Sequence, residues 1–104
     1  MNSFDERQKS FEKKFVMDAE LQFKVSAKRN RYIAEWVAIK MGKNDEEKEN
    51  YIKEVIKADF IEPGDEDVFK KIKFDFESAS IPMQDSEIRN QMKITLDLAK
   101  KDFI

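Results

Sequence analysis

Residues 23–42 read FKVSAKRNRYIAEWVAIKMG, and this stretch decides the fold. Its apolar side chains recur every three or four residues, which is the spacing of one face of an α-helix. Gly42 follows directly, and glycine readily adopts the left-handed conformation that ends helices. The stretch therefore predicts a core-forming helix. Its predicted buried face consists of Phe23, Ala27, Ile33, Ala34, Trp36, Val37 and Met41.

The composition of the remaining chain favours more helices of the same kind. Only two Gly and two Pro occur among 104 residues, whereas sheet proteins use such residues in many tight turns. Cap and break signals then divide the chain after the first helix. These signals are Asn44 or Asp45, the break at Pro63-Gly64, Asp65, and finally Asp85 or Ser86. The sequence thus predicts an all-α four-helix bundle.

Periodicity also predicts which side chains of the later helices are buried. For the second helix they are Tyr51, Ile52, Val55, Ile56 and Phe60. For the third they are Val68, Phe69, Ile72, Phe76 and Ala79. For the last they are Ile88, Met92, Thr95, Leu96, Ala99 and Phe103.

The front of the chain has a different pattern. Phe4, Phe11 and Phe15 share one helical face, but the residues between them are mostly charged. Such a narrow apolar stripe is too sparse to hold a fold alone. We therefore expect residues 1–19 to form a flexible or extended amphipathic helical arm, and residues 20–104 to form the bundle domain.

Two interpretations of the phenylalanine stripe remain open at this point. In one, the stripe packs back onto the bundle as an extra layer of core. In the other, it is an amphipathic helix offered to a groove on another protein, with charged side chains at the rim. A membrane-surface helix fits less well, because acidic and basic residues alternate and form no strongly basic face.

The residue types argue against an enzyme. The chain has no His and no Cys, which removes the usual general base, metal ligand and thiolate nucleophile. No glycine-rich phosphate loop occurs. The acidic run 65–67 is better explained as a helix start than as a metal site, so we expect no metal and no cofactor. No apolar run is long enough to cross a membrane, and no secretory signal is present, so we expect a cytoplasmic protein.

Charge is distributed unevenly along the chain. Residues 1–31 carry eight basic and five acidic side chains, whereas residues 44–67 carry three basic and ten acidic ones. The first helix holds a basic patch of Lys24, Lys28, Arg29 and Arg31. A patch of this kind contacts phosphates in some proteins, but the pI near 5.3 and the lack of a groove-reading motif argue against nucleic acid. Pairing with the acidic second helix is an equally good explanation.

An ordered set of short motifs resembles the zeta subunit family of alphaproteobacterial F-type ATP synthases, the ATPase inhibitor subunit. The set spans nearly the whole chain. It comprises Phe4-Asp5-Glu6-Arg7, Phe11-Glu12-Lys13-Lys14-Phe15, Asp18, Glu20-Leu21, Phe23-Lys24, Arg29-Asn30-Arg31, Trp36, Gly42, Tyr51, Ala58-Asp59, Pro63-Gly64-Asp65-Glu66-Asp67-Val68, Lys71, Asp75, Ile88 and Met92.

The resemblance implies a four-helix bundle with a flexible N-terminal inhibitory arm. In that family the arm inserts at a catalytic interface of the synthase head, formed by alpha, beta and gamma subunits, and blocks rotation in the hydrolytic direction. Carried onto this sequence, the inhibitory and partner-binding residues are Ser3, Phe4, Asp5, Arg7, Phe11, Glu12, Lys13, Lys14 and Phe15. The bundle would act as a stop at the entrance of the cleft.

The same resemblance places the protein in the cytoplasm, peripheral to the inner membrane through the synthase. It also allows weak nucleotide binding by the bundle, although no motif here supports it. The alternative function is a helical module that senses a small molecule or nucleotide, with the arm as its output. Because the chain lacks histidine, any pH dependence would come from carboxylates or from the partner.

Overall fold

Four α-helices form the part of the chain that the structure, a computed structural model, describes, namely residues 19–59 and 65–103. They are α1 (Ala19–Lys40), α2 (Asp45–Asp59), α3 (Glu66–Ser78) and α4 (Asp85–Lys101). Helix α1 packs against α2 and α4, and α3 packs against the same two helices. This arrangement confirms the predicted all-α four-helix bundle. Except for Ala19, the predicted arm lies outside the described residues, as does the predicted break at Pro63-Gly64.

Helices α1 and α3 end in the same way. At the end of α1, Gly42 has a φ of 70°, and the Lys43 N–H donates to the Ala38 carbonyl at 3.0 Å. At the end of α3, Ser80 has a φ of 58°, and the Ile81 N–H donates to the Phe76 carbonyl at 2.9 Å. Both satisfy helix carbonyls that otherwise lack a donor. The sequence signalled the first of these ends, whereas serine is an unusual residue for the second.

The start of α2 is fixed by a reciprocal capping box. The Asn44 side-chain oxygen accepts from the Glu47 N–H at 2.8 Å, and the Glu47 carboxylate accepts from the Asn44 N–H at 2.9 Å. Two backbone donors that have no partner inside the helix are thereby satisfied. This geometry selects Asn44 rather than Asp45 as the cap, from the two candidates that the sequence offered.

The core lies between all four helices and is almost entirely aliphatic and aromatic. Most positions predicted from periodicity are buried in it. The residues of the central cluster are Ile33, Ala34, Val37, Tyr51, Ile52, Val55, Val68, Phe69, Ile72, Phe76, Ile88 and Met92. Trp36, Met41 and Ile56 are partly buried against this cluster. The ring of Trp36 meets Phe76 edge-on, with centroids 5.6 Å apart, which links α1 to α3 across the bundle.

Two predicted core positions are exposed in the structure, and several others are only partly buried. Phe23 is more than half exposed, because it lies ahead of Val25, the first buried residue of α1. Ala79 is exposed, and it lies just past Ser78, the last residue of α3. Trp36, expected within the core, is only partly buried and also borders the surface between α1 and α4. Of the other predicted positions, Phe60 lies outside the described residues, while Ala27, Leu96 and Phe103 are half-buried.

Phe76 and Phe74 provide a matched test of this core. Both lie on α3, but Phe76 is 1% exposed and Phe74 is 67% exposed. We expect Phe76→Ala to lower the free energy of unfolding by about 3–5 kcal/mol, because it removes a buried ring and leaves a cavity. Phe74→Ala should change it by less than about 0.5 kcal/mol. Urea unfolding followed by circular dichroism measures both, and equal losses would contradict the assigned core.

Candidate functional site

A buried arginine joins three helices of the bundle. Arg29 lies on α1 and is only 2% exposed. Its Nη1 donates to Oδ1 of Asp65, just before α3, at 3.0 Å, and its Nη2 lies 3.9 Å from Oδ1 of Asp59 at the end of α2. Removing a guanidinium from water is costly, so such a group persists only where anions and acceptors surround it. The two carboxylates meet this requirement.

Asn30 completes the polar cluster around Arg29. Its side-chain oxygen accepts a hydrogen bond from Nε of Arg29 at 2.8 Å, and its Nδ2 donates to Oδ2 of Asp59 at 3.0 Å. One amide therefore contacts both the cation and one of its anions. This arrangement sets the position of the Asp59 carboxylate and fixes where α2 ends relative to α1. We call Arg29, Asn30, Asp59 and Asp65 the polar cluster.

The sequence contains a signal for the burial of Arg29. Arg29 falls between Val25 and Ile33 at successive spacings of four, so all three share one helical face. The basic patch considered for nucleic acid is therefore divided, because Arg29 faces inward. Of the other three, Lys24 pairs with Glu20, Lys28 with Asp102 and Arg31 with Glu49. Pairing with acidic α2 is thus confirmed for Arg29 and Arg31.

A second polar cluster joins α2 to α3 around Tyr51. The Tyr51 hydroxyl donates to Oδ2 of Asp75 at 2.7 Å, and the Lys71 ammonium lies 3.1 Å from the same oxygen. Lys71 also donates to Glu54 at 3.2 Å and lies over the Tyr51 ring, 5.2 Å from its centroid. The arrangement combines a hydrogen bond, two ion pairs and a cation–π contact in one place.

This environment raises the pKa values of Tyr51 and Lys71. Burial raises the pKa of the Tyr51 phenol far above its ordinary value, and the hydrogen bond to Asp75 adds to the rise. The pKa of Lys71 is also raised, because burial, which lowers it, is outweighed by the hydrogen bonds to Asp75 and Glu54. Tyr51 therefore stays a neutral donor and Lys71 a cation, and neither is prepared for proton transfer near neutral pH.

The acidic stretch 65–67 takes part in structural contacts. Asp65 belongs to the polar cluster, and Glu66 forms an ion pair with Arg89 of α4 at 2.9 Å. The hydrogen bond from Arg89 lowers the pKa of Glu66. One carboxylate oxygen of Asp67 is buried without a hydrogen-bond partner among the described residues, but it lies in the first turn of α3, where negative charge is favoured. In the described ranges, no group of three acidic side chains is arranged to hold a metal ion.

A shallow groove runs along the surface between α1 and α4. Its lining consists of Trp36, Lys40, Glu87, Asn90, Gln91 and Ile94, and its volume is about 220 Å³. Both apolar and charged side chains reach it. Periodicity alone did not identify this groove, since it depends on which faces of two distant helices meet.

The residues that the sequence predicted as the inhibitory site all fall outside the described part of the chain. They are Ser3, Phe4, Asp5, Arg7, Phe11, Glu12, Lys13, Lys14 and Phe15. Their assignment stays a prediction. The described residues show instead the domain to which they are attached, beginning at Ala19, the first residue of α1.

The fold and its polar contacts define a small all-α protein of the four-helix-bundle class, in which the buried charges hold helices together. No helix among the described residues is long and apolar enough to span a membrane. A family model described as ATPase inhibitor subunit zeta matches residues 1–102, and the chain belongs to this family. The resemblance drawn from short motifs is thereby confirmed over nearly the full length. No curated protein matches the chain.

The family description establishes a coarse function. Members are inhibitor subunits of an ATPase, which implies that they interact with an ATP synthase. An inhibitor subunit is not expected to catalyse a reaction of its own.

Arg29 and Arg31 allow a matched test of the polar cluster. We expect Arg29→Met to lower the free energy of unfolding by about 3 kcal/mol, because two carboxylates and a buried amide lose their cation. Arg31→Met breaks an exposed pair with Glu49 and should cost less than about 1 kcal/mol. Urea unfolding of both variants measures the difference. Similar small losses for both would show that Arg29 does not hold the three helices together.

Alkaline pH tests the Tyr51 environment. The folded-state pKa of Tyr51 lies above its unfolded value of about 10, so the folded protein keeps the proton longer. The resulting stabilisation is complete below about pH 10 and is lost as the pH rises further. We expect Tyr51→Phe to lose stability less steeply than the wild type between about pH 10 and 12. Urea unfolding across this range measures the slopes.

Tyr32 serves as the control for this experiment. Its hydroxyl hydrogen-bonds Asp102 at the surface, and this contact also raises its pKa. Because Tyr32 is solvated, Tyr32→Phe should change the alkaline slope less than Tyr51→Phe does. Identical slopes for the wild type and Tyr51→Phe would contradict the raised pKa.

Proposed function

We propose that this protein inhibits ATP hydrolysis by the catalytic head of an F-type ATP synthase, with residues 1–19 inserting at a catalytic interface. The bundle, residues 20–104, then remains outside the cleft. The observation that carries the proposal is the family match over residues 1–102, which includes both the arm and the bundle. In this proposal, the partners of the chain are the alpha, beta and gamma subunits of the head.

The chemistry of the arm fits insertion between two subunits. Phe4, Phe11 and Phe15 supply apolar anchors on one helical face, and the residues around them are charged. Aromatic anchors in a buried pocket commonly account for most of the binding free energy at an interface. The proposed polar contacts at the rim are those of Ser3, Asp5, Arg7, Glu12, Lys13 and Lys14.

Inhibition follows from the way rotary hydrolysis proceeds. Catalytic interfaces must open and close in sequence, so a helix that binds one interface conformation better than the others stabilises that state. Its differential affinity sets how strongly the cycle stalls. An arm that becomes ordered only on docking loses some affinity to that ordering, which also permits release.

The described bundle supports its role as a stop. A single helix is about 10 Å wide, and packing further helices at about 8–10 Å between axes makes the bundle at least twice as wide. A cleft that accepts the arm therefore excludes the bundle. The polar cluster joins α1 to the end of α2 and to the start of α3, so a force applied to Ala19, the first residue of α1, is transmitted to these three helices.

Removing the arm tests this function. Purified synthase head is titrated with the full chain and with a chain lacking residues 2–15, and ATP hydrolysis is measured. We expect inhibition to saturate near one chain per head and to vanish on truncation, while the thermal midpoint stays nearly unchanged. Phe11→Ala should raise the half-inhibitory concentration by about tenfold to a hundredfold, as loss of a hot-spot aromatic does. Ser10→Ala, at the neighbouring position in the sequence, is its control.

If a properly folded full chain fails to inhibit ATP hydrolysis, the proposed inhibitor function is wrong. The sensor alternative gives a different result. A nucleotide or small molecule would then raise the thermal midpoint of the full and truncated chains alike, because binding to the folded state stabilises it.

A further inference from the structure

The other three helices each have one end at the same level of α1. Asp59, the last residue of α2, and Asp65, just before α3, both contact Arg29. Asp102, directly after α4, lies 3.9 Å from the ammonium group of Lys28. We call Lys28 and Arg29, together with these three carboxylates, the collar. The ends of three helices therefore meet α1 within one of its turns.

From the collar, the three helices run alongside α1 toward its C-terminal end. The ring of Phe76, late in α3, meets Trp36 of α1 with centroids 5.6 Å apart. Glu87, in the first turn of α4, lines the same depression as Lys40, the last residue of α1. Helix α2 begins at Asp45, soon after α1 ends. The described helices thus pack along α1 on one side of the collar only, and the first turns of α1 lie on the other side.

These first turns of α1 are largely exposed. Within residues 19–24 every side chain is exposed except that of Leu21, which is half-buried, and Val25 is the first buried residue of the helix. Ala19 lies ten residues before Arg29, so α1 extends about 15 Å past the collar at about 1.5 Å per residue. Among the described residues, this part of the protein is a single helix, about 10 Å wide.

Phe23 places an aromatic ring on the exposed turns. Its side chain is 55% exposed, although Phe23 lies on the face of α1 that buries Asn30 and Ala34, seven and eleven residues further on. Phe23 also follows Phe15 of the predicted arm by eight residues, a spacing at which side chains of one helix belong to the same stripe. The phenylalanine stripe of the arm therefore extends into α1. Exposed aromatic side chains next to a partner-binding segment are the kind that anchor interfaces.

The charges of the exposed turns neutralise each other. Glu20 and Lys24 lie one turn apart and form an ion pair at 3.3 Å. They are the only charged residues of the segment 19–24, so the segment carries no net charge. Covering it with another protein leaves neither charge without an opposite one, which lowers the cost of removing both from water.

We propose that the helix entering the catalytic interface of the ATP synthase head extends through Lys24, with Phe23 as its last apolar anchor at the mouth of the cleft. The proposal rests on the proposed function and assigns residues 20–24, part of the predicted bundle domain, to the inserted segment. The place where the arm ends selects the partner, because an arm inserted up to Ala19 holds the next turn of α1, about 5.4 Å long, at the same mouth. The collar then acts as the stop, since the protein there widens from one helix to four.

Phe23→Ala and Phe74→Ala form the matched test of the anchor. Both remove an exposed ring, but Phe74 lies on α3, on the other side of the collar. In the full chain, Phe23→Ala is expected to raise the half-inhibitory concentration for ATP hydrolysis at least about tenfold, as the loss of an interface aromatic does. Phe74→Ala is expected to inhibit as the wild type does. Thermal unfolding of both variants confirms that they are folded.

The depth of insertion is measured separately from activity. The chain has no cysteine, so Gln22→Cys and Glu77→Cys each introduce a single thiol at an exposed position, one at the front of α1 and one near the far end of α3. Each full-length variant is treated with a maleimide, free and bound to the synthase head, and mass spectrometry of this chain measures its labelling. Position 22 is expected to lose its labelling in the complex, whereas position 77 is expected to react as it does in the free chain.

The outcomes separate this proposal from the inhibitor function itself. If Phe23→Ala inhibits as well as the wild type and position 22 stays reactive in the complex, the longer insertion is overturned while the inhibitor function stands. Protection of position 22 without any effect of Phe23→Ala would overturn Phe23 as an anchor. Equal protection of positions 22 and 77 would overturn the collar as the stop. A folded full chain that neither binds nor inhibits would overturn the inhibitor function, and the longer insertion with it.

Discussion

The ion pairs of Arg29 are the constraint on which the bundle depends. A guanidinium that is almost fully removed from water must be surrounded by acceptors, and here they come from Asn30, Asp59 and Asp65. These acceptors lie on α1, at the end of α2 and at the start of α3. Satisfying one buried charge therefore fixes the relative positions of three helix segments. A purely apolar core of this size would tolerate more ways of packing the same helices.

The apolar core supplies stability, and the two polar clusters, around Arg29 and around Tyr51, fix the positions of the helices relative to one another. Hydrophobic burial is not directional, so several similar arrangements of the helices could bury Ile33, Val37 and Ile72 equally well. Hydrogen bonds depend on distance and angle, so the contacts of the Arg29 cluster and of the Tyr51 cluster are each compatible with few arrangements of the helices. The Arg29 cluster lies where α2 ends and α3 begins, and the Tyr51 cluster lies further along these two helices. Together they make α1, α2 and α3 a single body.

A rigid bundle is what an inhibitor with a separate arm requires. A short helix that enters a cleft resists rotation only if it is attached to something that cannot follow it. In this protein α1 begins at Ala19, the last residue of the proposed arm, and also packs against α2 and α4.

Local information in the sequence determined the helices, several of their ends and most of the core. The spacing of Ile33, Ala34 and Val37, the cap at Asn44 or Asp45 and the glycine at position 42 act over a few residues, so they can be read without the fold. The ordered motifs also identified the family. The tertiary structure alone decided which carboxylates pair with the buried Arg29, that Phe23 is exposed and that Lys40 and Glu87 line one groove. Each of these facts depends on which residues from distant helices come into contact, and helical periodicity describes the face of one helix without specifying what covers it.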